Sequence, residues 1–168
     1  MTDTDTTHKP MTNFQKVMDF NKKFGAPVYN TRQTQVTKDN PSLTKLRYDL
    51  IAEEVSELKE AIDTHNFTEI IDALSDILYV VYGAGCSFGI DLDKTFDIVH
   101  RSNMSKLCTS EEIAQQTVGW YKQQRDLGNT PYDSPAYRKA EEGHYWVVYN
   151  ESTGKILKSI NYTPAKFT

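Results

Sequence analysis

From about Thr68 to Ala84 the chain spells a helix that is apolar over nearly its whole circumference, and a helix of that kind is normally surrounded by other elements. Ile70, Ile71, Leu74, Ile77, Leu78 and Val81 cover most of it, and a single stripe interrupts them. With Asp76 at zero and 100° per residue, Glu69, Asp72, Val80 and Gly83 fall within about 40°. The preceding helix repeats the pattern. Opened by Pro41 and Ser42, it carries Leu43, Leu46, Leu50, Ile51, Val55, Leu58, Ala61 and Ile62 until "DTHN" at 63–66 breaks it. With Leu50 at zero, Leu43, Leu46, Glu54, Glu57 and Ala61 lie within about 40°, and Glu53 about 60° away. Two consecutive helices therefore turn acids toward faces that should be packed.

Burying several carboxylates together without a cation is prohibitive, because desolvation and mutual repulsion both oppose ionisation. Proton sharing relieves two such groups at most, whereas a divalent metal relieves all of them. Oxygen donors alone suit Mg²⁺ or Mn²⁺ rather than zinc. The expected site is built from Glu53, Glu54, Glu57, Asp72 and Asp76. The competing reading is a solvated acidic face, which Asp72 and Asp76 disfavour because their helix has so little other polar surface. A di-iron bundle would need two Glu-x-x-His motifs, and the chain offers only "DIVH" at 97–100. An EF-hand would need glycine where Phe96 stands and glutamate where Ser102 stands.

The rest of the 168-residue chain frames this pair. Residues 1–10 read as a disordered lead-in. Thr12 and Gln15 have capping-box spacing ahead of an apolar face of Phe14, Val17 and Met18, stopped by Gly25 and Pro27. Residues 28–40 read as loop, and the "GAGCSFG" stretch as the end of the third helix. A fourth helix starts after Asp91 as N-cap and reaches about Leu107. Ser110 caps another possible helix, "LGNTPYDSPAYRK" is turn-rich, and "HYWVVYN" and "KILKSINY" around "ESTG" read as a short hairpin. The expected fold is all-α: a bundle of about four core helices over 11–108, with 109–168 as a C-terminal extension of the same domain containing a short β-hairpin.

Charge and composition exclude some functions. A net charge of −4 argues against a general binder of nucleic-acid polymers. Two cysteines, Cys86 and Cys108, are too few for a disulfide scaffold and read as reduced thiols. The N-terminus lacks the apolar core of a signal peptide, and the apolar run around Ile77 to Ala84 reads as too short to span a bilayer. The expected location is cytoplasmic, with no membrane partner.

The ordered blocks "FNKKFGAPV", "LIAEEVSELKEAI", "DALSDILYVVYG", "FGIDLD" and "VHRSNMSKL" resemble the phosphoribosyl-ATP pyrophosphohydrolase-like branch of the MazG-like all-α nucleoside triphosphate pyrophosphohydrolase superfamily. "GKILKSINYTP" is similar to that branch's C-terminal tail, while 109–150 matches poorly. The resemblance implies a MazG-like helical bundle forming a homo-oligomer, a dimer or tetramer. It also implies Mg²⁺-dependent hydrolysis of a nucleoside triphosphate to monophosphate and pyrophosphate, on a (deoxy)nucleotide such as dUTP or dCTP. By position, Glu54 and Glu57 become metal ligands, and Glu53 a further ligand or the group acting on the attacking water. Asp76 matches the aspartate of the family's "ExxD" motif. Ala73 stands where that motif has glutamate, so either Asp72 serves instead or Glu69 and Asp72 form the pair. On the fourth helix, Asn103 and Lys106, with His100 on the same face, are the expected nucleotide contacts. An amide and an ammonium suit sugar and phosphate oxygens. Trp120/Tyr121 and Tyr145/Trp146 are pairs able to stack on a base, more often used in cores. The Ala73 replacement sustains one alternative, a nucleotide-binding or scaffold protein that kept the bundle and lost the chemistry.

Overall fold

The computed structural model describes residues 10–168 as two compact units divided at Thr95 and Phe96, within one helix. The predicted lead-in therefore lies, Pro10 apart, outside the described residues.

In the first unit, α1 (Asn13–Lys23) opens on the expected capping box: the Thr12 hydroxyl accepts from the Gln15 amide, and the Gln15 side chain accepts from the Thr12 amide. Its Phe14 and Val17 join Cys86 in a small core flanked by Met18, Val28, Tyr82 and Leu92. Burial of side chains this size stabilises by about 1.5–3 kcal/mol each. The stretch 28–40 is not all loop, because α2 (Val36–Asp39) forms one turn there. Then α3 (Pro41–Asp63) starts on Asn40, whose Oδ1 accepts from the Leu43 amide, with Pro41 at a position that has no amide to satisfy.

The next helix, α4 (Phe67–Phe88), packs against α3 and α1 and runs one turn past the glycines expected to end it. Gly83 and Gly85 are helical. A Cβ at Gly83 would lie 3.1 Å from Arg47 Nη1, and one at Gly85 2.6 Å from Leu92 Cδ1. They are glycine because neighbours approach closely, and Gly89, at φ +65°, is the residue that stops the helix. The helix is 22 residues long with a mean hydropathy of 1.3 over its most apolar window, so by length and composition it is long enough to cross a membrane. The uninterrupted apolar run within it, around Ile77 to Ala84, is far shorter than the helix. Asp72 and Asp76 within it are costly in a bilayer. Nor is α4 surrounded among the described residues: Ile71, Leu74 and Leu78 are about half exposed, and burial concentrates at Ala73 and at 83–87.

Asp91 opens α5 (Leu92–Met104), its Oδ1 accepting from the Lys94 amide. The helix ends at Met104, short of the expected Leu107. Tighter bonds from the Lys106 amide to the Asn103 carbonyl and from Leu107 to Met104 unwind it, and Cys108 is drawn into a bridge with Trp146.

In the second unit, Ser110 caps α6 (Glu111–Asp126), which packs on strands β1 (Pro135–Lys139) and β2 (Trp146–Asn150). The strands are antiparallel, with Pro135 opposite Asn150 and Lys139 opposite Trp146. A short hairpin is thus present, but β2 pairs with the turn-rich "PAYRK" ahead of it. Across "ESTG" the pairing is an isolated bridge between Tyr149 and Ile156, with the Asn150 amide donating to the Lys155 carbonyl and the Leu157 amide to that of Val148. Cys108, Ala114, Val118, Tyr121, Val148 and Leu157 form the core.

Buried Asn150 anchors the turn beside β1 by donating to Asp133 Oδ1 at 3.0 Å and accepting from the Ser134 amide. Asp133 also accepts from Ser152 Oγ at 2.6 Å and Ser134 Oγ at 3.1 Å. Those hydrogen bonds, Ser152's first, hold its carboxyl down at about 2. A carboxyl lowered by folding stabilises above its unfolded value of ~3.9 and loses that stabilisation as pH falls through the folded one. Asp133→Asn is therefore expected to lower the thermal midpoint at pH 7. The gap to the unsubstituted chain should narrow below pH ~4 and vanish only below pH ~2 in melts followed by circular dichroism.

Candidate metal and phosphate site

All five predicted metal-binding acids lie in the first unit, on the packed pair α3 and α4. Leu43, Arg47 and Ala61 are the buried positions of α3, so the seam against α4 is the stripe on which Glu54 and Glu57 stand. Glu54 and Asp76 are half-buried, while Glu53, Glu57 and Asp72 are exposed.

Glu54 is the centre of the group. Its Oε2 is buried without a hydrogen-bond partner, one of two such side-chain atoms among the described residues. Desolvation raises its carboxyl, followed by the negative fields of Glu57, Asp76, Glu53 and Asp72. Carboxylates from both helices therefore act on one half-buried acid. Asp72 supplies the last and weakest of these fields. Glu69 sits in the first turn of α4, where a carboxylate complements the helix dipole. Ala73, at the position of the family's glutamate, is buried.

An enclosed carboxylate oxygen with no donor fits a hard divalent cation, and the surrounding donors are all carboxylates. As the side chains stand, no three His, Cys, Asp or Glu among the described residues are arranged to hold a common ion.

Arg47 was missed in the sequence reading. It is the one buried charged side chain among the described residues, and its Nε donates to Ser87 Oγ at 2.9 Å. It stands seven residues before Glu54, hence about 20° from it on the helix. That angle was the available signal, because a cation on a stripe expected to be packed is as unexpected as the acids. Desolvation lowers its guanidinium from the usual value.

In the second unit, His100 and Asn103 are exposed on α5, and half-buried Lys106 lies in the turn after it. Lys106 lines a cavity of about 470 Å³ with Trp120, Tyr121 and Lys158. Tyr145 is exposed, whereas Trp146 packs beside the core and Tyr137. Cys86 and Cys108 are free and buried, and burial pushes the Cys86 thiol up.

The sequence profile of the family described as phosphoribosyl-ATP pyrophosphohydrolase matches residues 17–103, a span containing α3 and α4. A protein of Acanthamoeba polyphaga mimivirus, described as uncharacterized protein L479, is 32% identical, with 95% of this chain and 95% of that protein covered.

Proposed function

Since this chain belongs to the phosphoribosyl-ATP pyrophosphohydrolase family, within the MazG-like superfamily, we propose that its paired acidic helices hydrolyse a nucleoside triphosphate to the monophosphate and pyrophosphate. Pyrophosphohydrolysis of nucleotides is the general chemistry of the family, and MazG-like members generally use divalent metals. The observation that carries the reading here is Glu54, whose enclosed Oε2 lacks a donor while carboxylates of both helices crowd it.

Glu54, Glu57, Asp72 and Asp76 would hold Mg²⁺, or Mn²⁺. Bound there, such an ion neutralises phosphate charge and lowers the pKa of an attacking water. Glu53, exposed one residue before Glu54, would orient that water or accept its proton, as well as being available as a ligand. On the second unit, Lys106 and Asn103 are the proposed phosphate and sugar contacts, with His100 beside them. The proposed substrates are (deoxy)nucleoside triphosphates such as dUTP or dCTP. A panel of common NTPs and dNTPs with phosphoribosyl-ATP, assayed with Mg²⁺ and with products identified, tests this. Release of pyrophosphate and a monophosphate from at least one nucleoside triphosphate is expected. Turnover of phosphoribosyl-ATP alone would refute the substrate class.

The half-exposed Ile71, Leu74 and Leu78 on α4, with Leu46, Val55 and Ile62 on α3, support assembly into a dimer or tetramer. A scattering mass at a multiple of 19.2 kDa is the expected result. Two buried, unpaired cysteines fit a reducing cytoplasmic setting. The buried Ala73 favours a second reading, a protein that binds nucleotide without hydrolysing it. In that case nucleotide would bind and the whole panel would show no product.

A further inference from the structure

The second unit has a basic, aromatic groove outside the stretch matched to the family profile. Residues 155–160 lie along α6: the Lys158 amide donates to Tyr121 OH at 3.1 Å and the Ile160 amide to Thr117 Oγ1 at 3.2 Å. Beside them opens the cavity of about 470 Å³, a volume typical of small-molecule sites. Lys106, Lys155 and Lys158 line it, and no acidic side chain does. That is a local concentration of positive charge in a chain of net charge −4. None of the three lysines forms an ion pair among the described residues. Lys155 Nζ instead lies 5.3 Å from the centre of the Tyr132 ring, and Lys158 Nζ 4.7 Å from that of Tyr162. Cations resting on ring faces for want of a carboxylate remain available to a stronger anion.

The aromatic wall supplies the second element. Trp120 is 47% exposed and lines both this cavity and a neighbouring one of about 450 Å³. Its ring packs edge-on against buried Tyr121, centroids 4.9 Å apart, and the Tyr121 hydroxyl is itself fixed by the Lys158 amide. An indole held on one side and open on the other is a stacking surface for a flat heterocycle.

We propose that this groove is a nucleotide-binding site of the C-terminal unit, with the base stacked on Trp120 and the phosphate held by Lys106, Lys155 and Lys158. It shares Lys106 with the contacts proposed above, yet needs neither the acids of α3 and α4 nor a metal.

The test uses the full chain with Trp146→Phe, which leaves Trp120 as the one tryptophan, titrated in EDTA with AMP, GMP, CMP and UMP. Saturable quenching of Trp120 fluorescence is expected with at least one of them, weakened by added salt. Lys155→Ala and Lys158→Ala should each weaken that binding roughly tenfold, and Trp120→Ala, followed by calorimetry, by tenfold or more. Circular dichroism checks that each variant is folded. Both lysines are exposed, so their removal leaves the core intact. Absence of saturation with all four nucleotides at millimolar concentration would overturn the proposal, as would binding indifferent to both lysine substitutions. Because EDTA removes any divalent ion, failure of the metal-dependent hydrolysis would not alter this result.

Discussion

Glu54→Gln is expected to raise the thermal midpoint of the protein in EDTA while lowering Mg²⁺-dependent hydrolysis at least about 100-fold. The two effects have one cause. Glu54 keeps an oxygen enclosed without a donor and is opposed by Glu57, Asp76, Glu53 and Asp72. Glutamine has the same shape, removes the charge, and brings an amide able to donate to a neighbouring carboxylate. Losing an interaction that merely supports a metal ligand commonly costs 10–100-fold, so losing a ligand itself should cost at least the upper figure. Added Mg²⁺ should reverse the order of stability. A ligand at 100 times its dissociation constant stabilises the native state by about 2.7 kcal/mol, a gain the unsubstituted chain receives and the variant does not. Melts with and without Mg²⁺, beside a pyrophosphate-release assay, read both halves. A variant less stable than its parent in EDTA and fully active would remove Glu54 from the site.

Gly89→Ala is expected to cost about 3 kcal/mol or more, seen as a fall of roughly 10 °C in the midpoint. Gly89 has φ +65°, and a Cβ there would sit 1.9 Å from the Thr31 carbonyl oxygen and 2.5 Å from its carbon. The obstacle is backbone, so no side chain can swing away. Strain at positive φ and a clash therefore act together. The same contact seats residues 29–33 on the end of α4, where the Tyr29 amide donates to the Cys86 carbonyl and the Gln33 amide to that of Phe88. Gly25 separates the two contributions. It has φ +74°, but a Cβ there would meet nothing within 4 Å, so Gly25→Ala should cost only about 1 kcal/mol. Equal losses at the two sites would show that the Thr31 contact is unimportant.

What could be read from the residues alone was what is local or periodic. The capping box at Thr12, the Asp91 and Ser110 caps, and the acids on α3 and α4 all follow from spacing along one helix. What was misread depends on partners distant in sequence. "GAGC" looks like a helix end until Arg47 and Leu92 are known to press against Gly83 and Gly85. "WVVYN" has the part-apolar stretch "KILKSINY" after it and a turn-rich stretch before it, and only the register shows that Pro135–Lys139 is its partner. The shortened α5 depends on Cys108 being claimed by Trp146, and on the Ser102 and Ser105 hydroxyls donating to Thr163. Arg47 escaped notice because a lone arginine on a helix is ordinarily a solvated one.

The central idea is that carboxylates of two helices serve one divalent cation, and Mn²⁺ binding tests it most directly. Calorimetric titration of the full chain should show saturable Mn²⁺ binding that Glu54→Gln on α3 and Asp76→Asn on α4 each weaken. Removing both should cost less than the sum of the two, because they share an ion. Affinity unchanged by either substitution, or weakened additively as by two independent acids, would contradict a joint site.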